Sequence, residues 1–347
     1  VIRLGIVGCN FGRTVLLPAF RADARCTVEA IAGADMKKAR EIAAAEGIGQ
    51  PFSDWRALAD HPDLDALAIA VPPRLQPEIA VRALKAGKAV FLEKPLAANL
   101  EAAQAVREQV AASGRPVMID FEFCELPHWR RAKEIIDSGA LGALRHVAVS
   151  WHVENYATRM RLRSWKTDGA NGGGALGNFV SHCFYYLEHF CGPMKDMSAT
   201  LFGLPDEEPP SDSTVSLAGT FKSGAAYVLS MSAASFLGSG HRIAFYGEDG
   251  TLVLSNSTSD YMRGFELLHA RRPAAALERI DISYPEDERY PDGRIAPVSR
   301  LAKRFLDAIE TEAPAVPGIA DGMRVQELIE LARISHQNGS ERRVIEP

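Results

Sequence analysis

Short apolar runs alternate with stretches of helical periodicity over roughly the first 120 residues, the pattern of βαβ units in a parallel sheet. The runs Arg3 to Val7, Val28 to Ala34, Ala66 to Val71, Ala89 to Leu92 and Pro116 to Ile119 are read as strands. Between them, Met36 to Glu46 closes on Gly47, and Pro77 to Ala86 has proline in its first turn and Gly87 just past its end, so both are read as helices. Another helix is signalled by Asn99 as its cap, by Leu100, Ala103, Val106 and Val110 on one face, and by Gly114 as its stop.

The rhythm changes after a helix from about His128 to Ser138. Longer alternating segments follow: Arg145 to Val153, Asp212 to Phe221, Ala225 to Ser232, Arg242 to Tyr246, Thr251 to Leu254 and Arg279 to Ile282. They suit an antiparallel or mixed sheet with one covered face. The expected architecture is an α/β Rossmann domain with a doubly wound parallel sheet over residues 1–121, and an α+β domain with a large open sheet over 122–347. The Pro- and acid-rich stretches Leu204 to Asp212 and Tyr284 to Pro297 read as surface loops. Two terminal helices, Val298 to Thr311 and Gly322 to Gln337, carry apolar stripes that must pack on the sheet or back on the first domain.

Composition narrows the class. With 347 residues, 47% hydrophobic and 24% charged, the chain has core enough for two domains without staples. A net charge of -5 offers no basic footprint, so neither nucleic acid nor an anionic membrane is an expected partner. The longest apolar stretches, such as Leu67 to Val71, fall far short of the roughly 18 residues of a membrane span, and Val1 already opens a strand, so no signal peptide or anchor is read. Cys9, Cys26, Cys124, Cys183 and Cys191 are odd in number and contain no Cys-x-x-Cys, which fits reduced thiols and a cytoplasmic location.

In open parallel sheets, ligands collect outside the carboxyl ends of the strands. The first strand runs into Gly8-Cys-Asn10-Phe11-Gly12-Arg13, a departure from Gly-x-Gly-x-x-Gly in which Asn10 tolerates positive φ and Gly12 supplies clearance for a pyrophosphate. Taken alone, a strand-turn-helix with incidental glycines is the lesser alternative. Asp35 ends the second strand, where a carboxylate accepts hydrogen bonds from both adenosine ribose hydroxyls and repels a 2′-phosphate, favouring NAD. Lys37 and Lys38 keep NADP open, and Asp35 also suits a helix cap. Val71-Pro72-Pro73 forces the chain out of the sheet, and Glu93-Lys94-Pro95 follows an apolar strand so that Lys94 faces a bound ligand.

Gly8 to Gly12, Asp35, Val71-Pro72, Glu93-Lys94-Pro95 and the later Gly172-Gly-Gly-Ala-Leu-Gly-Asn178-Phe-Val-Ser-His182 together resemble the Gfo/Idh/MocA family, the glucose-fructose oxidoreductase and inositol dehydrogenase group. The resemblance covers nearly the whole chain. It implies an NAD(P)-dependent oxidoreductase acting on a secondary hydroxyl or ketone of a sugar, polyol or nucleotide-sugar, assembled as a homodimer or homotetramer through the second domain's sheet. Lys94 matches the family lysine that touches the reacting oxygen, and His182 the family acid/base. Gly8, Asn10, Phe11, Gly12, Arg13, Asp35, Val71, Pro72, Gln76, Glu93 and Lys94 are the expected cofactor residues. Lys94, Phe123, Trp165, Asn178 and His182 are the expected substrate residues. The resemblance also suggests a cis peptide before Pro95.

Several positions depart from the family pattern. Asn178 replaces the family aspartate four residues before the histidine, Tyr185 replaces another aspartate, Gln76 a histidine and Cys124 an arginine. Asparagine can orient His182 or substrate but lacks the charge that raises a histidine's proton affinity. A weakly active or inactive cofactor-binding regulator on the same fold therefore stands as the alternative, and binding of a ligand without any dinucleotide as a third reading. His182, Cys183, His189 and Cys191 match no common zinc spacing, so no metal is expected. Tyr156, Arg159, Arg161 and Arg163 read as a solvated or interface loop, with a nucleotide-sugar phosphate as the sharper option.

Overall fold

Six parallel strands build the first sheet: β1 (Ile2–Val7), β2 (Cys26–Ala32), β3 (Gln50–Phe52), β4 (Ala66–Ile69), β5 (Ala89–Glu93) and β6 (Val117–Asp120). Their order is β3-β2-β1-β4-β5-β6, so the winding reverses between β1 and β4 and opens a crevice at the carboxyl ends. The molecule is described from a computed structural model over residues 1–204 and 211–346; most of the loop expected over Leu204 to Asp212 lies outside the described residues. Edge strand β3 escaped the sequence reading because it is three residues long and contains Pro51, which removes a ladder donor.

The chain divides into two units, the first formed by Val1–Glu122 with Glu286–Gln326. In its core Phe20, Phe91 and Phe305 meet edge to face at centroid distances of 5.3, 5.8 and 6.2 Å, so the helix Ile295–Thr311 is an integral layer of this unit. The stretch Tyr284 to Pro297, expected as a surface loop, is corrected here: Ile295, Ala296 and Pro297 are buried in that helix's first turn, where proline lacks no needed donor.

The second unit comprises residues 123–285 and the chain from Glu327 on. Its nine strands are β7 (Leu144–His152), β8 (Met194–Gly203), β9 (Asp212–Phe221), β10 (Ala226–Ser232), β11 (Gly240–Gly247), β12 (Gly250–Asn256), β13 (Glu266–Arg271), β14 (Glu278–Arg279) and β15 (Arg343–Val344). They run in the order β14-β13-β12-β11-β7-β10-β9-β8-β15, with β7 and β10 parallel and the other pairs antiparallel. The sheet is mixed, as the alternating segments suggest. A register shift between Met194 and Asp196 breaks the alternation of β8 and hides it from a periodicity reading, while the strand expected over Arg279 to Ile282 shrinks to two residues. On the covered face, the helix Pro127–Asp137 contributes Trp129 and the helix Ser181–Cys191 contributes Tyr186 and Phe190, with Trp129 and Tyr186 at 5.0 Å and Phe190 and Phe245 at 5.2 Å. No helix among the described residues is long and apolar enough to cross a membrane.

Candidate active site

The expected cofactor residues of the first unit follow the carboxyl ends of β1, β2, β4 and β5. Gly8 has φ +119°, and a Cβ there would lie 2.2 Å from the Ala70 carbonyl oxygen, so no other residue fits. Its N–H donates to Ala32 O at 2.9 Å, fastening the turn to β2. Asn10 O accepts from the amides of Arg13 and Thr14 at 3.1 and 3.0 Å and starts a π-turn, Gly12–Leu16, that continues as the helix Leu17–Arg21. A Cβ on Gly12 would meet Ile6 at 2.7 Å, which keeps the helix start close to the sheet. Phe11 lies under the Arg294 guanidinium at 5.2 Å, and Arg13 Nε donates to Glu46 at 3.0 Å.

Asp35 caps the helix Met36–Glu46, its Oδ1 accepting from the amides of Lys37 and Lys38 at 2.8 and 3.3 Å. Lys38 Nζ then reaches across to Asn10 Oδ1 at 2.8 Å, tying the two strand ends together. Beyond β4, Val71 and Pro72 are half-buried, and Pro72 O accepts from Leu75 N at 2.9 Å, the hydrogen bond of a turn leading into the helix Gln76–Lys85. A tight glycine turn, a helix start and a strand-end carboxylate on one sheet edge suit a dinucleotide.

Lys94 follows β5 and precedes a cis peptide to Pro95, as the family resemblance suggests. Gln76 is fully buried and its Nε2 donates to Pro95 O at 2.8 Å. Next to Lys94 lies a group of acids of which only Glu93 was expected in the site from the sequence. Glu93 and Asp120 are register partners of β5 and β6, and Glu122 follows two residues on. Burial, then the charges of Glu93 and Glu122, hold the Asp120 carboxyl well above the usual carboxylate range against the pull of Lys94. Burial and the Glu93 charge push Glu122 up to about 8, opposed by Lys94 and Arg294. Asp120-Phe-Glu122 directly after an apolar strand was the available signal; Arg294 had none, since it arrives from the returning segment.

In the second unit, His182 sits in the first turn of the helix Ser181–Cys191 and is 5% exposed. Its ring meets the Phe123 ring at 4.9 Å, nearly perpendicular. Phe123, expected to face substrate, is 2% exposed and also packs on Trp129, Trp151 and His241. Asn178 is half-buried one turn before His182, in the π-turn Leu176–Val180. The amide of Leu176 donates to the Asp212 carboxylate at 2.6 Å, fixing the start of that turn. Trp165 opens the short turn Trp165–Thr167 with its ring 5.8 Å from the Lys166 ammonium, and the exposed Arg159 guanidinium lies 5.7 Å from the Tyr156 ring. Among the described residues no cluster of His, Cys, Asp and Glu has the makings of a metal site.

Residues 2–121 match the model of the Gfo/Idh/MocA oxidoreductase family, described as an NAD-binding Rossmann fold, and residues 129–253 match that family's C-terminal domain. An uncharacterised oxidoreductase of Synechocystis is 30% identical over 355 residues, covering 97% of this chain and 94% of the relative. A levoglucosan dehydrogenase of Pseudarthrobacter phenanthrenivorans is 30% identical over 56% of this chain and 50% of its own length. A dTDP-3,4-didehydro-2,6-dideoxy-alpha-D-glucose 3-reductase of Actinomadura kijaniata is 32% identical over 44% of this chain and 46% of its own. Among solved structures, levoglucosan dehydrogenase in complex with NADH and L-sorbose has a TM-score of 0.88 at 23% identity over 99% of both chains, a likeness of fold.

Proposed function

The chain belongs to the Gfo/Idh/MocA family of NAD-binding oxidoreductases, and from that premise we propose that it moves hydride between NAD and a secondary hydroxyl or ketone of a small carbohydrate-like molecule. The observation that carries this reading is Lys94 at the carboxyl end of β5, on the same sheet edge as the turn that admits only glycine at position 8. The sugar dehydrogenase and nucleotide-sugar reductase among the relatives support the substrate class. NAD, when bound, supplies the hydride acceptor or donor. The turn from Gly8 to Arg13 holds the pyrophosphate, Asp35 accepts from the adenosine ribose, and Val71 and Pro72 cover the nicotinamide side. Lys94 donates to the reacting oxygen, fixing its position and stabilising the developing alkoxide. His182 takes the hydroxyl proton as hydride leaves and returns it in the reverse direction, with Asn178 orienting substrate or His182.

A panel of sugars, inositols and nucleotide-sugars followed by NADH absorbance tests this reading. One compound should turn over, and Lys94→Ala should lower its turnover by about 10²–10³-fold while NADH affinity stays near wild type. Equal loss of both removes Lys94 from the chemistry.

The competing reading is a cofactor-binding regulator, favoured by Asn178 at the position of the family aspartate and by the burial of His182 at 5% exposure. NADH binding in a fluorescence titration without turnover across the panel selects it. Self-association is assigned to the open face of the second unit's sheet, where Val228 and Tyr246 are exposed, and light scattering of Val228→Glu against wild type tests that assignment. None of the five cysteines is joined in a disulfide among the described residues, which supports a reducing, cytoplasmic setting.

A further inference from the structure

The ends of β5 and β6 bring three carboxyl groups to one ammonium. Glu93 and Asp120 are direct register partners, Lys94 follows Glu93, and Glu122 stands just beyond Asp120. Asp120 is 0% exposed and neither of its oxygens accepts from an N–H among the described residues. It faces the Glu93 carboxyl within hydrogen-bonding reach, and two carboxyls bond to each other only when one keeps its proton. Glu122, 5% exposed, adds the third acid. The opposing charges are Lys94 from the end of β5 and, toward Glu122, Arg294, which is itself paired with Asp292. Burial and the mutual repulsion of the carboxylates outweigh the attraction of Lys94 and Arg294, so the cluster retains protons.

We propose that Glu122 is a positioning residue for Lys94: with Asp120 and Glu93 it holds protons in a buried acid cluster, so that the lysine's charge is not overbalanced where an alkoxide develops. The proposal rests on the reading of Lys94 as the group that positions the reacting oxygen. Protonation belongs to the cluster as a whole and not to one acid. Burial, which pushes Glu122 up to about 8, agrees with a proton held at neutral pH. When the cluster loses that proton, a further negative charge draws on the Lys94 ammonium and opposes the alkoxide, and turnover falls.

The test compares wild type, Glu122→Gln, Glu122→Asp and Asp120→Asn as holoenzymes across pH. Wild-type kcat should fall by about tenfold per pH unit above the cluster's transition, and Glu122→Gln should stay within about twofold over that range. KM and NADH affinity should be little changed, and Glu122→Asp, which keeps a titrating carboxyl, should bring the limb back. In the apo protein, the infrared C=O band of protonated carboxylic acid should lose intensity on passing upward through about pH 8 and be diminished in Glu122→Gln and Asp120→Asn. A basic limb unchanged in Glu122→Gln, or no protonated-acid band in the wild type below that pH, overturns the proposal. The two readings fail separately. Undiminished turnover in Lys94→Ala sinks the role of Lys94, while the infrared band still reports whether the cluster holds its protons.

Discussion

The side-chain amide of Gln76 donates a 2.8 Å hydrogen bond to the carbonyl oxygen of Pro95, linking the start of one helix to the residue after Lys94. Gln76 is 0% exposed, so that carbonyl finds its donor in the protein interior. Gln76→Met keeps the volume and removes the donor, and it should lower unfolding free energy in urea by about 1–3 kcal/mol. Turnover should fall further than NADH affinity, because the segment carrying Lys94 loses its tie.

Gly8→Ala should cost at least about 2 kcal/mol of stability, from the strained φ together with the collision on the Ala70 carbonyl. NADH binding, followed by fluorescence, should weaken in the same variant. An alanine that binds NADH like wild type would mean that β1 and β4 separate at no cost.

Asp35→Asn separates the two roles of that side chain. Asparagine caps helices as well as aspartate, so thermal stability should stay within about 0.5 kcal/mol of wild type. The lost charge should narrow the preference for NADH over NADPH by about tenfold, read as a ratio of dissociation constants. A large loss of stability with an unchanged ratio would assign Asp35 to the cap alone.

His241 stacks on Trp151 at 4.1 Å, with Tyr186 Oη 3.1 Å from its Nε2, and burial lowers its pKa to about 3 from 6.5. The folded state therefore takes up its proton later than the unfolded chain as pH falls. Above pH 6.5 both states are neutral and nothing is lost; between 6.5 and about 3 the unfolded state binds the extra proton, and stability drops. From pH 6.5 to pH 5 the loss should be about 2 kcal/mol. His241→Phe should flatten that slope in denaturation curves at several pH values, whatever its effect at pH 7.

The sequence was most legible where one local signal decides the structure. Met36–Glu46 is bounded by Asp35 and Gly47 and forms the expected helix, and Asp212–Phe221 alternates cleanly and forms the expected strand. It was least legible where a neighbour distant in sequence decides. The setting of Asp120 and Glu122 depends on β6 lying beside β5, and the Arg294 charge that acts on Glu122 arrives from a later segment, which no window around Asp120 contains. Phe123 shows the same dependence: its enclosure by Trp129, Trp151 and His241 is a matter of tertiary packing that no local pattern signals. The glycine turn was readable because its spacing is local, though only the approach of Ala70 explains why position 8 admits no side chain.

The polypeptide passes between its two units at residues 122/123, 285/286 and 326/327. During synthesis, then, the cofactor-binding half cannot finish folding when its sheet has left the ribosome. Phe20 and Phe91 must wait for Phe305, and Phe11 for Arg294. A nascent chain halted soon after Glu122 would carry all six strands of the sheet and still expose the apolar patch that the last third of the sequence covers.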